Sequence, residues 1–290
     1  MSNTVEAPLA AASAGMNRLV FDDDFTNEAT VDIHNERTDG FLWYVDRAYE
    51  REPLQPEELE WHTEESFLRI KSKGSMGITS YSSTAKKGFS VHGGYIEGRL
   101  RFGNPSMKEI KNRPLMYMIG KLDFIGKPWA DNGLLCVLDA PRVSDKNGEK
   151  RPYYCGALHH YHRGWERDKE GKPITRHASN LVNSTGYRDW FTFIDNDWHT
   201  YGVLWEQGHI VWYMDGREMH SVRFAANELP RHYYRNNPHP VPTLEEKNLK
   251  FAKNTWLGAY SVFDSLETVL CLSSHEQWPM DVDWVRVWQK

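Results

Sequence analysis

Imidazole groups that could transfer protons are concentrated in one short segment of the chain. Residues 155–162 read Cys-Gly-Ala-Leu-His-His-Tyr-His. Successive side chains of an extended strand alternate between two faces, so His160 and His162 would share one face. Histidine titrates near neutral pH and acts as a general acid or base beside a carboxylate. With Asp139 as that carboxylate, the three residues are candidate catalytic groups for an elimination, an isomerisation or a cyclisation.

The same segment offers two nitrogen ligands for a metal ion. His160 and His162 lie two positions apart, and Asp123 or Asp139 could supply a third ligand. The alternative is that these imidazoles hydrogen-bond to structural groups or to the hydroxyl groups of a sugar. The spacing alone leaves both interpretations open.

A thiol three residues before Asp139 is a candidate nucleophile. This thiol, Cys136, would need a neighbouring histidine or cation to lower its pKa. Leu134 and Leu138 flank it, and their apolar character favours a small buried side chain instead. We therefore expect Cys136 to form part of an apolar surface.

Charge and composition restrict the classes of partner. The chain has 290 residues, of which 40% are hydrophobic and 26% are charged, and its net charge is −5. This composition favours a packed core. No run of Lys or Arg is longer than two residues, so the basic patch of a nucleic-acid-binding protein is missing from the sequence. No apolar run approaches the ~18 residues of a membrane span, and we expect no membrane partner.

The beginning of the chain and its cysteines favour a cytoplasmic location. No Lys or Arg precedes the Ala-rich stretch near the start, which is untypical of a signal peptide. Cys136, Cys155 and Cys271 cannot all pair within one chain, and an odd number of thiols fits a reducing compartment. A signal peptide that had already been removed would still be compatible with secretion.

Short alternating runs indicate strands along most of the chain. In Gly94–Phe102 and again in Trp198–Glu206, apolar and polar residues alternate with a period of two. Asp215-Gly216 lies between two further alternating runs and predicts a tight hairpin. Around a dozen such runs without helical partners predict an all-β fold of two stacked antiparallel sheets. We expect residues 1–17 to form a disordered tail and residues 18–290 to form one domain.

Four stretches resemble glycoside hydrolase family 16, a family of the concanavalin A-like superfamily. The most specific is Asp197–Trp205 continued by Trp212–Gly216, because its spacing holds across some twenty residues. The stretches follow the order of the family from one end of the chain to the other. The resemblance implies a concanavalin A-like β-jelly-roll sandwich whose concave sheet binds a glycan. The other three stretches are Phe21–Phe25, Gly94–Phe102 and Pro279–Trp288.

The resemblance also implies where the chemistry of the family would lie. Its catalytic strand carries Glu-x-Asp-x-x-Glu, in which the first Glu is the nucleophile and the last is the acid/base. A retaining glycosidase needs two carboxyl groups ~5 Å apart on one face of its cleft. Strand alternation puts the first two acids on that face, and a bulge returns the third one to it.

At the matching positions this chain lacks two of the three acids. After the lead-in Trp129–Gly133, Leu134 stands at the nucleophile, Cys136 at the central Asp and Asp139 at the acid/base. Leucine cannot attack an anomeric carbon, so the retaining mechanism is not available at these positions. The preceding strand, 113–118, departs from the family as well. Together these departures suggest that the cleft has changed its function.

Three functions remain open for the changed cleft. The first is recognition of a saccharide or a related small molecule without hydrolysis. The second is a repurposed enzyme that uses the histidines and Asp139. The third is a glycosidase with unusual carboxylates, in which Asp123 or Asp131 pairs with Asp139 across the ~6.5–9.5 Å of an inverting enzyme.

The chain contains 12 Trp, about twice the usual number for its length. Surplus Trp residues often stack on sugar faces, although a sandwich core filled with large rings is the alternative. The oligomeric state has no signal in the sequence. Leu134 and Cys136 would line the cleft together with four candidate rings: Trp129, Trp165, Trp190 and Trp278.

None of the three possible functions requires a cofactor, but the resemblance implies a structural calcium site. The family often binds Ca²⁺ on its convex side with an Asp of the final strand, here Asp283, and with carbonyl groups near the first strand, around Asp24. Oxygen ligands suit this ion. The alternative is that Asp283 caps an amide at the edge of the strand.

Overall fold

The computed structural model describes residues 5–46, 53–72, 77–103, 113–121, 131–144, 147–167, 173–183, 193–223 and 266–290. Within these ranges the description of residues 131–133, 142–144, 159–167, 173–183 and 222–223 is limited to the backbone. The described chain is almost entirely strand, as the alternating sequence predicts.

Twenty strands and three short helical segments make up the described fold. The α-helix α1 spans Leu9–Ser13, and two 3₁₀ turns span Glu28–Thr30 and Pro56–Glu58. The strands are β1 (Arg18–Asp23), β2 (Val31–Asp32), β3 (Trp43–Tyr44), β4 (Leu59–His62), β5 (Phe67–Ile70), β6 (Ile78–Thr79), β7 (Tyr81–Ser82), β8 (Lys87–Gly88), β9 (Gly94–Arg101), β10 (Leu115–Gly120), β11 (Asp131–Asp139), β12 (Arg142–Ser144), β13 (Lys150–Pro152), β14 (Cys155–Arg167), β15 (Pro173–Asn183), β16 (His199–Glu206), β17 (His209–Met214), β18 (Arg217–Arg223), β19 (Thr268–Ser273) and β20 (Met280–Gln289).

Two large sheets contain nearly all of these strands. The first sheet has the order β18-β17-β16-β9-β20-β5-β4, and β1 pairs with β20 beside this path. The second sheet has the order β15-β14-β11-β10-β19-β6-β3-β2. The pairings are antiparallel except for β2 with β3. This arrangement confirms the predicted all-β fold, a sandwich of two large and mainly antiparallel sheets.

One face of each sheet contributes to a shared main core. Ile96 and Trp212 come from the first sheet, and Met118, Leu135 and Leu158 come from the second. All five side chains are buried. Their neighbours along each strand lie on the opposite face, because side chains alternate with a period of two. The alternation in the sequence therefore decides which residues join the core.

The predicted hairpin at Asp215-Gly216 is confirmed. Met214 pairs with Arg217, so that two residues form the turn between β17 and β18. Asp215 has φ 50° and Gly216 has φ 72°. Positive φ at both central residues matches the twist of the adjoining strands, and Asp-Gly tolerates this conformation.

Residues 5–17 differ from the disordered tail expected for residues 1–17. Ala11 of α1 and the following Met16 are buried against Tyr95, Leu204 and Trp288 on the outer face of the first sheet. Alanine has the highest helix propensity, and its small side chain allows a helix to approach the sheet closely. The apolar outer face thus orders a segment whose composition alone favours disorder.

Among the helices of the described ranges, none is long and apolar enough to cross a membrane.

Candidate functional site

A bulge in β11 controls the position that matches the family's acid/base. Cys136 pairs with Tyr117 and Asp139 pairs with Leu115, so three steps along β11 match two steps along β10. Val137 is the extra residue of the bulge. Because one additional residue reverses the alternation, Asp139 returns to the face that carries Cys136. The expected placement of the three motif positions on one face therefore agrees with the register.

Side-chain donors fix the backbone of this bulge. The indole Nε1 of Trp212, from the first sheet, donates to the carbonyl oxygen of Cys136 at 2.8 Å. The hydroxyl of Tyr154 donates to the carbonyl oxygen of Val137 at 3.3 Å. A Cβ atom on Gly156 would lie 2.3 Å from the same indole nitrogen, so this position requires glycine. The bulge is thus held in place from the main core.

The face of the second sheet turned away from the main core is apolar around Leu134. We call the residues on it the outer apolar cluster. Leu115 and Leu134 are its half-buried members, and Cys136 is 3% exposed. No carboxylate stands at the position that the resemblance assigns to the nucleophile. The buried members of the cluster are Tyr81, Tyr117, Ile119, Cys136, Ala157, Val269 and Cys271.

Asp139, which lies on the same face, is bound to an arginine. Its side chain is 3% exposed, and that of Arg113 is 41% exposed. Nε of Arg113 donates to Oδ1 of Asp139, and Nη2 donates to Oδ2 at 2.6 Å. The hydrogen bond to Asp139 raises the pKa of Arg113, against the opposing effect of burial. Both oxygens of Asp139 accept hydrogen bonds, so neither is placed to give a proton to a ligand.

The cysteines are free and buried. Burial raises the pKa of Cys136 well above its ordinary value, and it raises the pKa of Cys155 to about 12. Burial also raises the pKa of Cys271. A thiol that stays protonated at neutral pH is a poor nucleophile. The interpretation of Cys136 as an apolar surface residue therefore fits the structure better than a nucleophilic role.

The backbone register separates the candidate histidines from Asp139. Asp139 pairs with Cys155, whereas His160 pairs with Gly133 and His162 with Asp131. His160 lies five residues beyond Cys155 on β14, which is about 16 Å at ~3.3 Å per residue. That distance excludes a direct hydrogen bond to Asp139. The expected catalytic grouping of His160 and His162 with Asp139 is therefore wrong, because the β11–β14 register places them at opposite ends of the pairing.

The register also determines which histidine position lies on the same face of the second sheet as Leu134. His159 is the residue paired with Leu134. Residues directly opposite each other in an antiparallel pair occupy the same face of the sheet. The position that joins the outer apolar cluster is therefore that of His159. His160 and His162 lie one and three positions beyond His159, so alternation along β14 assigns their positions to the other face of the sheet.

The structure tests the candidate tryptophans to different extents. Trp278 is 2% exposed within the main core, and its indole donates to the carbonyl oxygen of Gly103. Its expected role in ligand binding is wrong, because its ring is packed against Phe102 instead. Trp165 lies in β14, where the backbone is described. Trp129 and Trp190, like Asp123, lie outside the described residues.

The proposed calcium ligands do not fit that ion. Asp283 forms an ion pair with Nη1 of Arg99. Asp24 accepts hydrogen bonds from the backbone nitrogen and the hydroxyl of Thr26, at 3.1 and 2.7 Å. No group of three or more His, Cys, Asp or Glu side chains within the described ranges could hold a metal. A guanidinium beside Asp283 would repel a bound cation.

Sequence reasoning missed Arg113 and Trp212 as parts of the site. Arg113 lies two residues before Leu115, the first residue of β10, so an extension of the alternation beyond the strand could have indicated its face. Trp212 belongs to the other sheet, and no local pattern predicts its bond to Cys136. The position of Arg113 could thus have been predicted from the sequence, whereas the hydrogen bond of Trp212 could be found only in the folded structure.

Comparisons with known proteins agree with the motifs. A family model described as "Glycosyl hydrolases family 16" matches residues 176–245. A comparison with curated proteins finds no match.

Solved structures similar to this chain include three glucanases at low identity. They are SCLam, a non-specific endo-β-1,3(4)-glucanase from family GH16 (16% identity, 98% of this chain and 94% of that chain, TM-score 0.48), the laminarinase from Flavobacterium sp. UMI-01 (14%, 94% and 100%, 0.48) and the laminarinase catalytic domain from Thermotoga maritima MSB8 (15%, 94% and 98%, 0.46).

The match of the family model includes the stretch whose motif is most specific. Strands β16 and β17 and the Asp215-Gly216 turn all fall within residues 176–245. The resemblance of this chain to glycosyl hydrolases family 16 is therefore confirmed.

Proposed function

We propose that this chain recognises a saccharide or a saccharide-derived ligand on the outer apolar cluster and does not hydrolyse it by the retaining mechanism. The similarity to a family of glycoside hydrolases supports a carbohydrate-related function. The change at the three motif positions supports binding without that chemistry.

One observation carries the proposal. Asp139, the remaining acid of the three motif positions, is 3% exposed and donates nothing, because Arg113 occupies both of its oxygens. Retaining hydrolysis needs one carboxylate that attacks and another carboxyl group that gives a proton. Leu134 supplies no nucleophile, and the paired Asp139 supplies no proton.

The surface offered to the ligand suits successive rings of an oligosaccharide. Leu115 and Leu134 are half-buried, and Leu134 pairs with Ile119, four residues along β10 from Leu115, so each leucine leaves apolar area for the C–H groups of a different ring. Arg113 adds polar N–H groups at the edge of this area, where hydroxyl groups could accept hydrogen bonds. An apolar floor with few polar groups is typical of a small-ligand site.

The test is a panel of β-1,3-, β-1,4- and mixed-linkage glucans and galactans. Reducing ends are assayed for turnover, and binding to the same oligosaccharides is measured by calorimetry. We expect binding without new reducing ends. Asp139→Asn tests any residual turnover, and Asp22→Asn is its matched control, because Asp22 forms an ion pair with Arg286 at 2.8 Å on the first sheet.

Two outcomes would overturn the proposal. Turnover that Asp139→Asn abolishes and Asp22→Asn preserves would identify a glycosidase with an unusual pair of carboxylates. Absence of both binding and turnover across the panel would instead favour an enzyme that acts on another small molecule.

A further inference from the structure

We infer that Arg113 forms an anion-binding subsite, so that the ligand of the outer apolar cluster is a saccharide with a carboxylate or sulfate group. This inference rests on the proposed function and specifies its class of ligand. The two partners of the Arg113–Asp139 ion pair differ in burial.

The geometry leaves the outward side of the guanidinium for a ligand. Arginine has five N–H donors in a planar fork. Asp139 takes one from Nε and one from Nη2, and Nη1 makes no hydrogen bond to any part of the chain that the structure describes. The guanidinium side chain is 41% exposed, while the carboxylate is 3% exposed. The free donors therefore face away from the buried acid.

The buried partner also orients the cation. A bidentate pair between arginine and carboxylate fixes the plane of the guanidinium. A second anion that approaches from the exposed side meets donors that are already positioned, with little further loss of side-chain freedom. Asp139 lies on the far side of the guanidinium, so an approaching anion meets the N–H donors before it meets the carboxylate.

The surroundings of Arg113 strengthen the attraction. Leu115 lies two residues further along the chain, whereas Leu134 pairs with Ile119 towards the other end of β10. An apolar neighbour such as Leu115 lowers the local dielectric, and a charge interaction is stronger there than in open water. A sugar ring on Leu115 would bring its substituents to the edge where Arg113 begins.

Lys121 shows by contrast why Arg113 is favoured. It lies eight residues further along the chain, just past the end of β10. Its Nζ is bound to Glu267 at 2.9 Å and to Ser90 at 3.1 Å. The Glu267 side chain is 54% exposed, so it would repel an anion that approaches Lys121. The acid beside Arg113 is buried, and the acid beside Lys121 is not.

The arginine pairs of the first sheet lie on a different surface, although one of their acids, Asp281, is also buried. Arg69 and Arg101 share Asp281, and Arg99 is bound to Asp283. They lie on the face of the first sheet that is turned away from the main core, opposite to the motif positions. These pairs explain local packing and are not needed for a ligand of the second sheet.

The experiment compares neutral and acidic oligosaccharides of equal length. The probes are a neutral β-glucan oligosaccharide, a uronic-acid oligosaccharide and a sulfated oligosaccharide, each titrated at low and high salt. We expect at least one acidic probe to bind about tenfold more tightly than the neutral probe at low salt. The free energy of one hydrogen-bonded pair of charged groups corresponds to a ratio of affinities of about that size. High salt should reduce the ratio. The uronic-acid and sulfated probes distinguish the two kinds of anion.

A double variant that removes both members of the Arg113–Asp139 ion pair tests the anion subsite. Arg113→Met with Asp139→Leu avoids leaving a buried charge without its partner, and such apolar replacements are often tolerated. The ratio of acidic to neutral affinity should fall to about one in this variant. Arg286→Met with Asp22→Leu is the matched control on the first sheet and should keep the ratio of the unmodified chain.

The outcomes separate this inference from the proposed function. Equal affinity for neutral and acidic probes, or an unchanged ratio in the Arg113→Met, Asp139→Leu variant, would overturn the anion subsite and leave saccharide recognition in place. Failure of every probe to bind would overturn the proposed function, and the subsite with it.

Discussion

Trp212 and Cys136 join the two sheets through a hydrogen bond of 2.8 Å from the indole nitrogen to the backbone carbonyl oxygen. The carbonyl belongs to the bulge of β11, where the regular pairing with β10 is interrupted. The bond satisfies a buried acceptor that a bulge leaves outside the ladder. It therefore links the shape of the candidate site to the packing of the main core.

Replacement of Trp212 by phenylalanine should test that link. Trp212→Phe removes the donor and leaves the Cys136 carbonyl buried without it, which costs about 1–3 kcal/mol of the free energy of unfolding. Urea denaturation followed by circular dichroism measures the change. Trp284→Phe is the control, because Trp284 is half-buried on the outer face of the first sheet and packs over Arg286. An equal loss in both variants would contradict the role assigned to the hydrogen bond.

The contact of α1 with the first sheet leads to a second prediction. Ala11 is fully buried, whereas its neighbour Ala12 is exposed. Ala11→Asp would place a charge in an apolar contact, and we expect it to detach the helix and lower the melting temperature by several degrees. Ala12→Asp should have little effect. Limited proteolysis near residues 5–17 provides a direct readout, and similar cleavage of both variants would argue against docking of the helix.

Glu97 should make stability depend on pH. It is 5% exposed, its Oε1 accepts a hydrogen bond from Tyr95 at 2.8 Å, and burial raises its pKa above the ordinary 4.5. The bond from Tyr95 and the charge of Arg286 oppose that rise without cancelling it. Folding thus favours the protonated carboxyl group. The stability it contributes is present below pH 4.5 and is lost as the pH rises through the higher folded pKa.

Replacement of Glu97 by glutamine measures this contribution. The amide side chain of the Glu97→Gln variant cannot ionise. As the pH rises from 4 towards 7, the free energy of unfolding of this variant should therefore increase relative to that of the unmodified chain. The exposed Glu36 is the control position, and Glu36→Gln should leave the pH profile unchanged. Parallel profiles for Glu97→Gln and the unmodified chain would show that Glu97 is not responsible.

Calcium should have little effect on this protein. The Asp283 carboxylate is already neutralised by Arg99, and the described residues around Asp24 add no cluster of acids. We expect the melting temperature to change by less than about 1 °C when Ca²⁺ or a chelator is added, since an ion that does not bind the folded state cannot stabilise it. A rise of several degrees with Ca²⁺ that Asp283→Asn abolishes would contradict the poor fit of this site.

Local sequence patterns predicted those features that depend on neighbours along the chain. The period-two alternation of Gly94–Phe102 appears as β9, and Asp215-Gly216 forms the expected two-residue turn. The return of Asp139 to the face of Leu134 also follows from strand geometry and one bulge. These features need only the pleat of a strand and the conformations of turn residues.

Features that depend on distant parts of the chain were not predictable in this way. The histidine segment alternates as expected, but its register against β11 decides that His159 rather than His160 is paired with Leu134. The order of α1 depends on an apolar surface built from Tyr95 and Trp288. Neither the register nor that surface can be read from the segment itself, because both arise from tertiary packing.

The position of β20 has a consequence for the order of events during synthesis. This strand pairs with β1, β5 and β9, and Arg18 is matched with Gln289. The interior of the first sheet therefore stays open until residues 280–289 have left the ribosome. Strands made early must wait with unpaired edges, a state in which chains tend to aggregate. We expect a ribosome-bound chain that stops before β20 to depend on chaperones, and a ribosome-bound chain in which β20 has emerged to depend on them less.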